Sequence, residues 1–151
     1  MKKIILLATA ALLSVGTQAQ PSAISTSSAD KLGWQLAVHS YTFRKFPIYE
    51  AIDKTAALGI HYMSISGSVS FDGSNSISTP TLSDQQMQGI LDKLKADGLY
   101  PKFVNTGVVQ LSPDEAKSRK VFEFAKKYGI DTLVAEPATN ALDTVEKLCK
   151  E

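Results

Sequence analysis

The chain is poor in the residues that staple or arm a small protein: one cysteine, two histidines and one tryptophan among 151 residues. The single thiol, Cys149, cannot close an internal disulfide, so packing or a bound metal must hold the fold. It falls on the apolar stripe of a C-terminal helical pattern, where it makes a poor nucleophile. Neither sign of charge dominates, since 16 Lys and Arg stand against 15 Asp and Glu. That balance offers no electrostatic grip on nucleic acid or on an anionic membrane. No glycine-rich dinucleotide fingerprint or P-loop follows any candidate strand. A Gly-x-Ser-x-Gly nucleophile elbow is also lacking. No local cluster of His, Cys and carboxylates has metal-ligand spacing. A metal site would therefore have to gather its ligands from separate strands.

Long apolar runs are also scarce, with one exception at the N-terminus. Met1-Lys2-Lys3 precedes an almost unbroken run from Ile4 to Leu13, and Thr17-Gln18-Ala19 follows as a small-x-small cleavage site. This is the grammar of a secretory signal. The run is too short for a spanning helix, which needs roughly 20 residues. No cysteine follows it, which argues against a lipid anchor. The reading is a signal peptide over 1–19 and a flexible Ser/Thr/Ala-rich leader over 20–31, with export to the periplasm or the extracellular medium. The alternative is a buried N-terminal helix. Loss of Lys2 and Lys3 would turn the formal charge of +1 slightly negative.

What the remainder has is a repeat marked by glycine. Gly33 to Val38, Gly59 to Ile65, Gly98 to Val104 and Gly129 to Ala135 each read as glycine followed by a short run able to form a buried strand. Helical patterns separate them. Ile48, Ala51, Ile52 and Thr55 share one face, with Pro47 at the first helical position. Ser83 and Gln86 make a capping box before Met87, Ile90, Leu91 and Leu94. Ser112 and Glu115 make a second, with Pro113 at N1, before Val121, Phe124, Ala125 and Tyr128. A fourth helix is predicted from about Asn140, with Leu142, Val145 and Cys149 on its stripe. The expected fold is α/β: four consecutive βα units over 32–151, half of a (β/α)8 TIM barrel of about 250 residues. Such a piece leaves two sheet edges open. The expectation is a fragment of a longer protein; a complete small sheet or a self-associating half-barrel is the alternative.

Ligands of parallel α/β folds bind where the strands end at their C-terminal side. That rule selects His39, Tyr41, Phe43 and Arg44 after the first strand. It selects Gly67 to Leu82 after the second, Asn105 to Gly107 after the third, and Glu136 after the fourth. Glu136 can hold a divalent metal or move a proton; it can equally stabilise the next helix's dipole. His39 can shuttle a proton or act as a ligand, or satisfy a backbone group. Tyr41 and Phe43 can stack on a sugar or belong to the core. Arg44 can bind phosphate or stay solvated, and Lys45 beside it reads as solvated. Asn105 can bind a hydroxyl or complete the turn into Gly107. His61 starts its strand, far from the ligand end, and reads as structural. The long Gly/Ser/Asn-rich stretch reads as a disordered surface loop or a lid.

Leu36 to Phe43 followed by Ile48 to Lys54 resembles the first unit of secreted bacterial sugar phosphate isomerase/epimerase proteins, which are xylose isomerase-like TIM barrels. Phe103 to Val109 is similar to their third strand and turn. Val121 to Ile130 with Leu133 to Pro137 is similar to their third helix and fourth strand. The resemblance implies a divalent metal (Mn, Mg, Zn or Co) held by Glu, Asp and His from several strand ends. It implies a small sugar as substrate, with isomerisation or epimerisation by proton transfer or hydride shift. Glu136 alone is carried over as a metal ligand, and most ligands of the family lie beyond the resembling segment. Relatives often have an acidic residue where this chain has Ser64. The chain by itself is therefore expected to lack turnover. A non-catalytic carbohydrate-binding or assembly module on the same scaffold is the alternative, and a related lyase is a third reading.

Overall fold

The computed structural model describes residues 24–151. The predicted signal peptide and the first part of the leader lie outside the described residues. The rest of the leader forms a helical turn, α1 (Ser27–Lys31), in which the Thr26 hydroxyl donates to Asp30 at 2.9 Å. Ile24 N donates to Leu58 O at 2.8 Å and ties this segment to the body.

The helical faces follow the apolar spacing. In α2 (Ile48–Ala57), Ile48, Ala51, Ile52 and Thr55 are buried; Pro47 caps the helix from outside its first turn. The Thr55 hydroxyl, with no access to water, donates to Ala51 O at 2.8 Å. In α3 (Asp84–Ala96) the Ser83–Gln86 capping box forms, and Met87, Ile90 and Leu94 enter the core. Helix α4 (Glu115–Tyr128) buries Val121, Phe124 and Ala125 but starts later than the Ser112 box predicts. Its cap is Asp114, whose carboxylate accepts from Lys117 N at 3.2 Å. Ser112 is instead held by its backbone: its N–H donates to Ser118 Oγ and its carbonyl accepts from the same hydroxyl, both at 2.9 Å. A competing turn thus takes Ser112 out of the cap position.

The half-barrel of four consecutive βα units is not what forms. The described residues make a mixed α/β fold with five α-helices and three two-stranded sheets. Strand β1 (Ala37–His39) pairs in parallel with β2 (Tyr62–Ser64). Strands β3 (Ser68–Ser70) and β4 (Ser76–Ser78) form an antiparallel hairpin inside the stretch read as a loop. Strand β5 (Thr106–Val109) pairs in parallel, with an irregular register, with β6 (Leu133–Ala135). One isolated parallel bridge, Ile65 to Thr106, links the two parallel pairs.

The third glycine repeat explains much of the difference. Pro101 has no N–H to give to a ladder, and Lys102 N donates to Tyr100 O at 2.8 Å in a tight turn. The run from Leu99 to Val104 therefore stays irregular, and the strand begins at Thr106. Phe103, 1 % exposed, plugs the core from this non-strand segment. The fourth repeat is not a buried strand either, because Val134 is exposed. After it, a 3-10 turn (Thr139–Ala141) precedes α5 (Leu142–Lys150). That turn sets the helix register so that Leu148 is buried and Cys149 is exposed, against the stripe read from the sequence.

The main core joins α2, α3, β2 and the C-terminal half of α4 around Ile52, Met63, Ile65, Met87 and Phe103. A smaller cluster of Val109, Leu111 and Val121 receives Val145 of α5. Glu115 also bridges Arg119 and Lys147 at 2.7 Å each across the α4–α5 surface. No described helix is long and apolar enough to cross a membrane.

Candidate functional site

Register brings the first polar pair together. In a parallel ladder, paired residues project to the same face, and His39 is paired with Ser64. The His39 Nδ1 lies 2.9 Å from Ser64 Oγ. Ser64 in turn donates to Asn105 Oδ1. Asn105 is placed by backbone bonds on both sides of Ile65: Ile65 N donates to Asn105 O at 3.0 Å, and Gly107 N to Ile65 O at 2.6 Å. Three residues from three separate segments, 25 and 41 positions apart, thus form one polar chain.

Gly107 completes the seat of the histidine. A Cβ at this position would collide with His39 Cε1 and lie 2.8 Å from Nε2. The imidazole therefore rests against bare backbone, a close approach that only glycine permits. Burial pushes the imidazole below its ordinary value of 6.5; hydrogen bonding to the Ser64 backbone acts in the opposite direction and is the smaller effect.

A 3-10 turn, Ser40–Phe43, carries the neighbouring candidates. It is anchored by Ser40, whose buried hydroxyl accepts from Ser66 N at 2.8 Å. Tyr41 is exposed and its ring stacks beside His39, with centroids 6.4 Å apart and planes at 26°. The Arg44 guanidinium lies 4.8 Å over the same tyrosine ring, so it is engaged in a cation–π contact. Phe43 turns the other way and packs on the main core. Tyr41, Phe43 and Arg44 line a small cleft of about 230 Å³ against the β3–β4 hairpin. A wider groove, about 750 Å³, lies between α4, α5 and β6, and His39 does not border it.

The structure brings His39 and Asn105 together and places Tyr41 beside them. Glu136 stands exposed on the segment after β6. No group of three or more His, Cys, Asp and Glu able to hold a metal occurs among the described residues. Glu136 belongs to no such group among the described residues. Ser64 is the residue that sequence reasoning undervalued: it entered as a departure from an acidic position, and it proves to be the link between two candidates. The period-two alternation of Tyr62, Met63, Ser64 and Ile65 was its available signal, since Met63 and Ile65 are both buried in the apolar core. His61 lies just before β2 and its Nδ1 is 3.4 Å from Gly98 O, a structural position.

Fold and site together define a mixed α/β protein with a histidine-centred polar chain at the C-terminal ends of β1 and β2, joined by Asn105, which stands just before β5 and not after a third strand as expected. No family model matches the chain, and no curated protein matches it. Among solved structures it is similar to an uncharacterised protein from Parabacteroides distasonis ATCC 8503, with a TM-score of 0.62 and 25 % identity over 78 % of this chain. The chain spans about half, 49 %, of the length of that structure.

Proposed function

We propose that this chain belongs to an exported protein that handles a small free sugar, of the isomerase or epimerase type, with His39 as its proton-transfer group. The observation that carries the reading is the seating of His39. A half-buried imidazole at the end of β1 rests on Gly107, hydrogen-bonds to Ser64, and has the Tyr41 ring beside it. An imidazole kept uncharged by burial can take up a proton, which suits proton transfer at a carbon next to a carbonyl. A half-exposed aromatic ring suits the apolar face of a sugar. Glu136 is the chain's single proposed contribution to the divalent metal that the family resemblance implies, and no step is routed through it. Asn105 already receives the Ser64 hydroxyl, so its part in binding sugar is limited to its remaining polar atom.

Ser64, where relatives often carry an acid, favours a second reading: a carbohydrate-binding module without turnover. One experiment separates the two. Because this chain by itself is expected to lack turnover, free aldoses and ketoses are titrated in D2O into the isotope-labelled whole protein to which it belongs, following the ring signals of His39 and Tyr41 and deuterium entry into the sugar. Saturable shifts with deuterium entry, lost in His39→Ala, support the isomerase or epimerase reading. Saturable shifts without deuterium entry support the binding module. The absence of any saturable shift across the panel rejects both.

A further inference from the structure

We propose that Ser64 and Asn105 are positioning residues that lock His39 as the Nδ1–H tautomer and leave Nε2 as a bare acceptor. The argument is one of counting protons. A serine hydroxyl has one hydrogen, and that of Ser64 goes to Asn105 Oδ1. The carbonyl oxygen of an amide only accepts. Ser64 therefore presents a lone pair to His39 Nδ1, 2.9 Å away. Two lone pairs do not face each other at that distance, so Nδ1 carries the hydrogen. A neutral imidazole has a single N–H, and Nε2 is left unprotonated. The hydrogen bond made by one ring nitrogen sets the state of the other. A half-turn of the ring about its Cβ–Cγ bond would put Cδ2 in the place of Nδ1 and lose the bond to Ser64, and the ring as placed lies against the Gly107 backbone.

This deepens the proposed function and rests on it in one respect: a bare Nε2 makes His39 a base toward its ligand. It would take a proton from a sugar hydroxyl or from the carbon beside a carbonyl; it would not donate one in its resting state. Ser64 and Asn105 act through His39 and need not touch the sugar.

The test reads the tautomer directly and needs no ligand. Ring nitrogens of 15N-labelled protein are observed by long-range proton–nitrogen correlation at about pH 8, with His61→Gln used to assign the signals. The expected result is a pyrrole-type Nδ1 and a pyridine-type Nε2 for His39. The reverse pattern, or signals averaged between the two forms, would overturn the proposal. In Ser64→Ala the signals should collapse toward the average; an unchanged pattern there would remove Ser64 from its role. Asn105→Asp keeps an acceptor facing Ser64 and should preserve the wild-type pattern, whereas an inverted pattern would mean that Asn105 presents its amide nitrogen to Ser64. Backbone amide spectra report separately whether each variant is folded. A locked Nδ1–H tautomer in a protein that binds no sugar would uphold this inference and reject the functional reading.

Discussion

The imidazole of His39 lies against the backbone of Gly107, with no room for even a methyl group between them. The contact joins β1 to β5 although no ladder connects those strands directly. Gly107→Ala must push the ring aside or move the backbone. Overpacking of this kind costs about 1–3 kcal/mol. Urea unfolding should show that loss, and the His39 ring signals should move. A variant as stable as the wild type with unmoved signals would show that the seat is looser than described.

The caps of α3 and α4 can be compared by substitution. Ser83→Ala should cost about 0.5–2 kcal/mol and Asp114→Ala should also destabilise, because each removes an acceptor for an otherwise unpaired helical N–H. Ser112→Ala should be nearly neutral. Ser118→Ala should cost about 1–3 kcal/mol, since it leaves both the half-buried N–H and the carbonyl of Ser112 without their partner. Chemical denaturation of the four variants checks the order. A Ser112 loss equal to that of Asp114 would restore the cap first read from the sequence.

Stability should fall as the pH drops below about 6.5, in part through His39. Its folded value is lowered from 6.5, so the unfolded chain binds the proton first. The contribution is complete above the unfolded value and is lost as the pH falls through the lower folded one. Asp84, Asp114 and Glu115 are also held below their ordinary values, by Lys127, by Lys117 N–H, and by Lys147 and Arg119 respectively. Their share is lost only under about pH 4. Thermal unfolding of wild type and His39→Gln between pH 7.5 and about pH 5 should therefore show a shallower slope for the variant. Parallel slopes would mean that His39 is as solvated folded as unfolded.

Cys149 should react in the native state. The residue is exposed, and Leu148 takes the buried position on α5. A chromogenic disulfide reagent should titrate one thiol without denaturant. A thiol that reacts only after unfolding would instead support the apolar stripe drawn through Cys149.

Local patterns were legible where no competing contact intervened, as the one between Ser112 and Ser118 does at α4. The Ile48, Ala51, Ile52 and Thr55 face and the Ser83–Gln86 box depend on residues three or four positions apart, and both appear as spaced. The hairpin was missed because its Ser, Gly and Asn composition reads as loop. Its order comes from a turn in which Asp72 accepts from Ser70, Ser74 and Asn75. That same set of donors holds the Asp72 carboxyl far below its usual range.

By itself, then, the sequence carried the loose α/β class and the apolar faces of α2, α3 and α4, and it offered His39, Tyr41, Asn105 and Glu136 as candidates. Only the tertiary structure decided which of them meet. Ser64 reaches both His39 and Asn105 because β1 and β2 pair in one register, and because Asn105 is pinned across Ile65. A shift of one residue in either would turn Ser64 to the opposite face. Register is settled by burying Met63, Ile65 and Phe103 in a shared core. That is a cooperative choice among segments distant in the chain, and no local spacing encodes it.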